Sequence, residues 1–331
     1  MRFNKLDLNL LVALDAMLKE QSISRAAERL HITQSAMSNA LARLREYFND
    51  DLLVQVGRRM ELTPRAESLQ EAVRDVLVRV DTTIAAQPQF VPAQSDREFK
   101  LLVSDFTLTV LMPHMLTRAY RESHTVQFQL LPQVAEPQRA LERAEADLLV
   151  IPAKYCSPDH PTETLFTEDF RCVVWDESRF ADAGLTVEDY LAAGHIVVQP
   201  LNTTTLSFEG WFMQRHGIAR RIEVTTFSFA AAPNLVIGTD RIATVHTRLA
   251  QRAQQFLPIK LLMPPMPMPK MEQTMQWHKY RTKDPGLVWL RRLLHEAAEQ
   301  MDAEQTSALA TSLPKSAASS KSATSAGTAR R

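Results

Sequence analysis

The stretch SISRAAERLHITQSAMSNALARLR, residues 22–45, contains two short helical patterns separated by a break at 31–33. Apolar residues recur at helical spacing on both sides of the break, so each segment can bury one face. Ser22 can cap the first helix and Thr33 the second, because their side-chain oxygens accept hydrogen bonds from free backbone N–H groups. Two helices joined by about three residues meet at a steep angle. The stretch therefore predicts a helix-turn-helix motif at 23–42.

Polar side chains occupy the face of the second helix that its apolar positions leave free. These residues are Thr33, Gln34, Ser35, Ser38, Asn39 and Arg43. Amides and hydroxyls hydrogen-bond to base edges in the major groove, and guanidinium groups bind guanine or phosphate. An ordinary helical hairpin with a solvated polar face would show the same pattern, so the flanking sequence has to decide between the two interpretations.

The sequence on both sides of the motif favours DNA binding. Upstream, the leucine-rich stretch 6–18 predicts an amphipathic helix that would complete a small core. Downstream, two short apolar runs flank Gly57, Arg58 and Arg59, which is typical of a β-hairpin. Arginines at the tip of such a hairpin can reach a minor groove or phosphate. We therefore interpret residues 1–64 as a winged helix-turn-helix DNA-binding domain.

A longer helical pattern follows the hairpin. Its apolar positions alternate in spacing near three and four residues, and they include Leu69, Val73, Val76 and Val80. Such a stripe after a small domain favours a helix that pairs with a second copy of the chain, and an ordinary core helix is the alternative. The proline-containing segment at its end predicts a hinge. We assign 65–91 to a dimerisation linker helix and hinge.

Composition limits the function without deciding it. The 331 residues carry a formal net charge of zero, and residues 1–65 have ten Lys and Arg against eight Asp and Glu. The overall charge therefore gives no sign of nucleic-acid binding. The sequence has neither a signal-peptide core nor an apolar run of membrane length, so we expect a cytoplasmic protein with no membrane partner. Two cysteines are too few for a disulfide framework.

Strand-like and helix-like segments alternate from residue 92 onward, as in an α/β domain with parallel sheets. Strands are predicted at 99–104, 126–131, 147–152, 170–175, 195–200, 222–227, 242–246, 259–263 and 273–278. A closing helix is expected at 285–300. The segment 302–331 is rich in Ser, Ala and Thr, cannot bury a core and is predicted to be a disordered tail.

Several stretches carry a resemblance to a known family. A similarity to the DNA-binding domain of LysR-type transcriptional regulators rests on DLNLLVALDAML, on the stretch at 22–45 and on FNDDLLVQVGRRMELTPRA. Within that family, RFNKLDLNLLVALDAM, VPAQSDREFKLLVSDF and QWHKYRTKDPGLVWLRRLL are most similar to regulators of the NodD type, which control nodulation genes, and less closely to aromatic-acid-sensing regulators of the NahR type. Ser35 and Asn39 depart from the family, which often has proline and arginine there, so the operator preference does not transfer.

The resemblance implies an effector-binding domain at 92–301 with the fold of type 2 periplasmic binding proteins. Two α/β subdomains would be joined by crossovers near 165–169 and 263–270. Subdomain I would comprise 92–165 and 268–301, and subdomain II would comprise 166–267. In such a domain the ligand lies between the two halves, where strand ends and helix N-termini converge.

Candidate effector-binding residues follow strands and begin helices, or lie at a crossover. They are Ser104, Asp105, Phe106, Thr107, Glu168, Asn202, Thr203, Thr205, Phe227 and His246. Aromatic rings beside hydroxyl and amide groups favour a planar phenolic or aromatic-acid effector. Local helix capping explains the Ser, Thr, Asp and Asn residues equally well, so each group remains open between the two roles.

An enzyme, or a small-molecule-binding protein without a regulatory role, is the alternative. The sequence contains neither a glycine-rich phosphate loop nor a nucleophile elbow, and the HEAAE segment at 295–299 lacks the second histidine of a zinc helix. We therefore expect no catalytic residues, metal or cofactor. The resemblance implies a homodimer or a dimer of dimers on double-stranded promoter DNA, with a small co-inducer and RNA polymerase as partners.

Overall fold

The computed structural model describes residues 6–57, 59–84, 89–199 and 206–312. Along these ranges the chain forms a winged helical unit, a long helix, and an α/β part built on two five-stranded sheets. Within the described ranges no helix combines the length and the apolar character needed to cross a membrane.

Three helices and a hairpin form the winged unit. They are α1 (Leu8–Glu20), α2 (Ile23–Arg29), α3 (Gln34–Phe48), β1 (Leu53–Val56) and β2 (Arg59–Leu62). The side-chain oxygens of Asp7, Ser22 and Thr33 accept backbone N–H bonds at the starts of the three helices. Met37 and Leu44 of α3 are fully buried against the other helices, so their burial fixes which face of α3 stays outside.

The long helix α4 (Pro64–Ile84) does not present the predicted stripe as one continuous surface. Leu69 and Val73 pack into the core of the winged unit, whereas Val76 is 44% exposed and Val80 is half-buried. The expectation that all four residues face a second copy is therefore wrong in this structure. The reason is that α1 packs along α4 and covers part of its apolar face within the same chain.

The α/β part contains two mixed sheets. In spatial order the first sheet has β4 (Gln127–Pro132), β3 (Glu98–Val103), β5 (Leu148–Pro152), β12 (Met271–Trp277) and β6 (Thr162–Glu168). The second has β11 (Ile259–Leu262), β7 (Phe170–Trp175), β10 (Ile242–His246), β8 (Gly194–Val198) and β9 (Arg221–Thr226). The helices are α5 (Asp105–Val110), α6 (Met112–Glu122), α7 (Pro137–Glu142), α8 (Val187–Ala192), α9 (Phe208–Arg215), α10 (Thr247–Gln254) and α11 (Pro285–Ser312).

All nine predicted strands form, with ends shifted by at most two residues, but the expectation of parallel sheets is wrong. β12 runs antiparallel to both of its neighbours in the first sheet, and β7 does so in the second. The cause is that the chain passes from the first sheet to the second at Asp169 and returns between Leu262 and Met271. Each passage brings a strand into its new sheet in the opposite direction.

The strand β6 was not predicted, and it moves one subdomain boundary. Residues 166–168, expected to begin subdomain II, extend β6 in the first sheet and pair with β12. The sequence TETLFTE buries fully only Leu165, Phe166 and Glu168. An edge strand of this kind has a weak apolar pattern, which explains why the sequence suggested a crossover there.

The closing helix is longer than predicted. Leu290 and Leu294 of α11 are fully buried beside Trp277 in the core of the first sheet, and the helix continues to Ser312. The expectation that the disordered tail begins at 302 is therefore wrong, whereas 313–331 lie outside the described residues. Ala, Glu and Gln sustain helix beyond the core, and Asp302 forms an ion pair with Arg248.

Three buried histidines predict that stability falls in mild acid. Burial lowers the pKa of His195 to about 4, of His246 to about 3 and of His278 to about 4. An unfolded histidine titrates near pH ~6.5, so between that pH and the folded pKa the unfolded chain binds more protons. Their contribution is complete above pH ~6.5 and is lost progressively as the pH falls towards the folded values.

The variant His246→Phe tests this prediction, because a phenyl ring keeps the aromatic packing and removes the titrating group. We expect the free energy of unfolding of the native chain to fall from pH 7.5 to pH 5, and about 2 kcal/mol of that fall to disappear in the variant. Urea denaturation at both pH values measures it. His124→Gln, a change at an exposed position, should leave the fall intact. An equal fall in His246→Phe and the native chain would contradict the prediction.

Candidate functional site

The first half of α3 presents an uninterrupted polar surface. Thr33, Gln34, Ser35, Ser38, Asn39 and Arg43 are all exposed, as the helical spacing predicted. Thr33 caps the helix and lies 3.0 Å from the hydroxyl of Ser35. Gln34, Ser38 and Asn39 make no side-chain hydrogen bond among the described residues, so their polar groups are available to an external partner. Arg43 is held by an exposed ion pair of 3.2 Å with Asp7.

The hairpin lies beside this surface and is fastened to α3. Arg45 donates hydrogen bonds to the carbonyl oxygens of Asp51 and Leu53, at 2.8 and 2.7 Å. Arg59 begins β2 and is exposed, while Arg58 lies outside the described residues. The guanidinium of Arg45 therefore positions the wing, and that of Arg59 remains available for a phosphate or a groove.

A cavity of about 300 Å³ lies where the two sheets approach each other. Of the predicted effector residues, Ser104, Phe106 and His246 line it. The other lining residues are Gln133, Val134, Ala135, Pro137, Gln138, Ile151, Pro152, Tyr155, Leu206, Ser207, Phe208, Phe229, Met271 and Gln273. None of these described residues carries an acidic or basic side chain apart from the imidazole of His246. The cavity is thus apolar and aromatic, with a few neutral polar groups.

The imidazole of His246 and the ring of Phe106, which both line this cavity, stack on each other. Their centroids are 3.9 Å apart at an interplanar angle of 13°, and Phe229 meets the imidazole edge-on at 4.9 Å. Burial lowers the pKa of His246 to about 3, so the imidazole is neutral at physiological pH. Phe106 lies in α5, directly after strand β3 of the first sheet, and His246 ends strand β10 of the second sheet. The stack therefore also joins the two subdomains.

Two hydrogen bonds fix the orientation of the amide of Gln273, which also lines the cavity. Gln273 is 1% exposed and donates from Nε2 to Thr107 Oγ1 at 3.0 Å and to the Val150 carbonyl at 3.3 Å. A carbonyl oxygen accepts and never donates, so the nitrogen of the amide must face it. The Oε1 atom of Gln273 has no partner among the described residues. Gln273 is therefore a lining residue whose side chain keeps one buried acceptor without a partner.

The remaining predicted residues lie elsewhere. Asp105 accepts hydrogen bonds from Ser228 Oγ at 2.7 Å and Ala230 N at 3.0 Å, which joins the two subdomains beside the cavity. Thr107 is fully buried, and its hydroxyl accepts the hydrogen bond from Gln273. Glu168 forms a buried ion pair of 2.6 Å with Arg248.

Phe227 also departs from the prediction, since it is 62% exposed and is not among the described residues that line the cavity. Asn202, Thr203 and Thr205 lie outside the described residues. For Asp105, Thr107 and Glu168 the structure gives positioning contacts, because each is engaged by another part of the chain.

Sequence reasoning missed several lining residues. Gln133 and Tyr155 follow the carboxyl ends of β4 and β5, and this position is the signal that could have found them. Gln138 lies in the short helix α7, and Gln273 lies within a strand. Gln273 has no such signal, because its role depends on a sheet neighbour that the sequence does not reveal.

The described residues contain no group of three or more His, Cys, Asp or Glu side chains suited to a metal ion. His295, part of the incomplete zinc motif, has its Nε2 atom 2.8 Å from Glu163 Oε2. Both cysteines are free, with Cys172 buried and Cys156 half-buried.

Comparison with protein families gives two matches in the order of the folded units. Residues 8–67 match the bacterial regulatory helix-turn-helix protein, lysR family, and residues 92–299 match the LysR substrate binding domain. Together the two matches include α1 to α3, the wing and both five-stranded sheets.

Known proteins are similar over most of the chain. A Nodulation protein D from Bradyrhizobium sp. (strain ANU 289) is 40% identical over 304 residues, which cover 92% of this chain and 90% of that protein. A probable transcriptional regulator from Pseudomonas aeruginosa has a similar structure, with a TM-score of 0.60, 27% identity and coverage of 88% and 97%. A full-length OxyR variant from the same species has a TM-score of 0.69 at 17% identity, with coverage of 88% and 94%, and it shows the fold alone.

These matches agree with the winged unit that carries an exposed polar helix and with the two-subdomain part that encloses a cavity. The relatives are transcriptional regulators rather than enzymes. The chain belongs to the LysR family of bacterial helix-turn-helix transcriptional regulators.

Proposed function

We propose that this chain is a ligand-responsive activator that binds promoter DNA as a homodimer or homotetramer and recruits RNA polymerase in response to a neutral phenolic effector. The observation that supports this most strongly is a single chain with a free polar surface on α3 and an uncharged aromatic cavity between its two sheets. The relatives named Nodulation protein D favour a symbiosis-type operon over a catabolic one, with the regulator's own gene as a further target.

The DNA contacts follow from the geometry of α3 and the wing. Gln34, Ser38 and Asn39 lie on one exposed face near the start of the helix, where a recognition helix meets base edges. Thr33, Ser35 and Arg43 flank this face, and the wing arginines Arg58 and Arg59 would reach the backbone or the minor groove. Because the net charge is zero, these local contacts have to supply the attraction to phosphate, and two copies would double them.

The dimer would use the part of α4 that α1 leaves uncovered. Val76 is 44% exposed, and Ala72, one turn earlier on the same face, is also exposed. Two copies paired along this face would present two recognition helices to an inverted repeat. Such pairing assigns Val76, together with Val80, to the interface, and leaves Leu69 and Val73 to the core of each chain.

The cavity favours a neutral ligand over an aromatic acid. A carboxylate would be desolvated among described lining residues that offer no cation, which is costly in an apolar site. A flat aromatic ligand can pack against the rings of Phe106 and His246, which both line the cavity. We infer that a hydroxyl group of the ligand donates to Oε1 of Gln273, a buried acceptor that has no partner among the described residues. We infer an uncharged aromatic compound with at least one hydroxyl group.

Base reading by α3 predicts the effect of the double change Gln34→Ala and Ser38→Ala. Each lost base contact is worth about 1–3 kcal/mol, so the ratio of specific to non-specific affinity should fall about 30-fold or more. The measurement is a mobility-shift titration against a site that the native chain selects from random-sequence DNA.

Ser68→Ala, an exposed hydroxyl change on α4, serves as the matched control and should leave the ratio unchanged. Thermal melting of both variants checks that the winged unit stays folded. A double variant with the native ratio would reject the assignment of these residues.

The neutrality of the cavity predicts an order of affinity for three compounds of one ring size. At pH 7.5 we expect methyl 4-hydroxybenzoate to bind most tightly, because it is uncharged and has a hydroxyl donor for Gln273. Methyl 4-methoxybenzoate lacks the donor and should lose roughly five- to tenfold, the worth of one hydrogen bond.

The third compound, 4-hydroxybenzoate, carries a carboxylate and should bind most weakly of the three. Isothermal titration calorimetry on the full chain gives the order. Tighter binding of 4-hydroxybenzoate than of its methyl ester would overturn the neutral-effector proposal and favour an aromatic acid.

A further inference from the structure

The short helix α7 lies between the ligand cavity and the DNA-binding unit. Pro137 and Gln138, its first two residues, line the cavity. Glu142, its last residue, and the following Arg143 line a separate cleft of about 620 Å³ that α7 forms with α1 and α4. At about 1.5 Å of rise per residue, these six residues carry the chain roughly 9 Å from one site to the other.

The cavity end of α7 is hydrogen-bonded to Tyr155, a residue that also joins the two subdomains. Gln138 donates a hydrogen bond from Nε2 to the carbonyl oxygen of Tyr155. The Tyr155 hydroxyl donates across the cavity to the carbonyl oxygen of Leu206, at 2.9 Å. All three residues line the cavity, so a ligand that enters it contacts this set of hydrogen bonds.

Polar contacts join the residues that follow α7 to the linker helix α4 and to α1 of the winged unit. Arg74 of α4 donates from Nη1 to the carbonyl oxygen of Arg143 at 2.7 Å, and its Nη2 atom pairs with Asp15 of α1 at 2.8 Å. Two residues further along, Glu145 forms an ion pair with Lys19 of α1. Arg74 of the linker helix α4 therefore contacts both the winged unit and the residue that follows α7.

The body of α7 is suited to move as one piece. Ala140 and Leu141 are buried against Leu102 and Leu149 in a small apolar cluster separate from the main core of the first sheet. Apolar packing of this kind has no direction, so it does not by itself hold the helix in one register. The two ends, by contrast, are held by directional contacts.

A second set of polar contacts to α4 does not involve the cavity. The hydroxyl of Tyr280 donates to Asp75 Oδ2 at 3.2 Å, and Nε2 of His278 lies 3.6 Å from Asp75 Oδ1. Both residues follow β12, and neither is among the described residues that line the cavity. A shift of α7 would therefore tilt α4 about Asp75 rather than detach it.

We propose that α7 couples the ligand cavity to the linker helix: a ligand that displaces Gln138 shifts α7 and changes the contact of Arg143 and Glu145 with Arg74 and Lys19. The proposal rests on the proposed function, because it assigns a route to the signal of the same cavity. By reciprocity, a change at Arg74 has to alter the cavity end by the same coupling free energy.

The test needs no ligand and uses hydrogen exchange on the full chain. Gln138→Ala removes the fastening at the cavity end, and exchange of α4 amides around Arg74 should become about fivefold faster, the equivalent of one hydrogen bond. Gln133→Ala is the matched control, because it removes an amide from the same cavity outside α7 and should leave α4 exchange unchanged. Thermal melting confirms that both variants are folded.

The reverse variant completes the experiment. Arg74→Gln should speed the exchange of amides in 137–142 and in 153–156, while Arg65→Gln, the same change at an exposed position near the start of α4, should not. Native exchange of α4 in Gln138→Ala, or an equal effect of Gln133→Ala, would overturn the coupling.

The outcome also separates this inference from the function on which it rests. If α4 responds to Gln138→Ala but the native chain shows no specific DNA binding, the coupling stands and the proposed function fails. If DNA binding is specific but α4 does not respond, the proposed function stands and the coupling through α7 fails.

Discussion

The contact between Phe106 and His246 is the interaction on which the rest of the effector-binding part depends. It joins the end of a strand in one sheet to the first helix after the other, at a centroid distance of 3.9 Å. The imidazole can stay there only as a neutral group, because burial lowers its pKa to about 3. The same ring pair lines the cavity, so subdomain packing and the proposed ligand site share one contact.

The DNA-binding unit is connected to this part by polar contacts rather than by a shared apolar core. Arg74 pairs with Asp15 and reaches the carbonyl of Arg143, and burial raises the pKa of Asp15 and lowers that of Arg74. Directional contacts of this kind have discrete arrangements, which suits an element that changes position without unfolding. The winged unit keeps its own core throughout, with Leu69 and Val73 of the linker helix as part of it.

The sequence predicted the elements better than their arrangement. Caps at Ser22 and Thr33, the exposed face of α3 and all nine proposed strands follow from local patterns. The antiparallel strands and β6 do not, because they depend on where the chain crosses between sheets. In the cavity, Ser104, Phe106 and His246 were found at strand ends, whereas Gln273 lies mid-strand and acts through Thr107 and Val150. Asp105 and Glu168 were predicted to bind the effector, but each is engaged by a residue in another segment of the chain, which the sequence does not reveal.

In the function that we propose, the state of the cavity between the sheets changes how α3 and the wing meet DNA. The most direct measurement is a DNase I footprint of the full chain on its selected site, without ligand and with saturating methyl 4-hydroxybenzoate, once calorimetry has shown that this compound binds. We expect the pattern of protected and enhanced cleavage to change when the cavity is filled. An identical footprint in both states would contradict it.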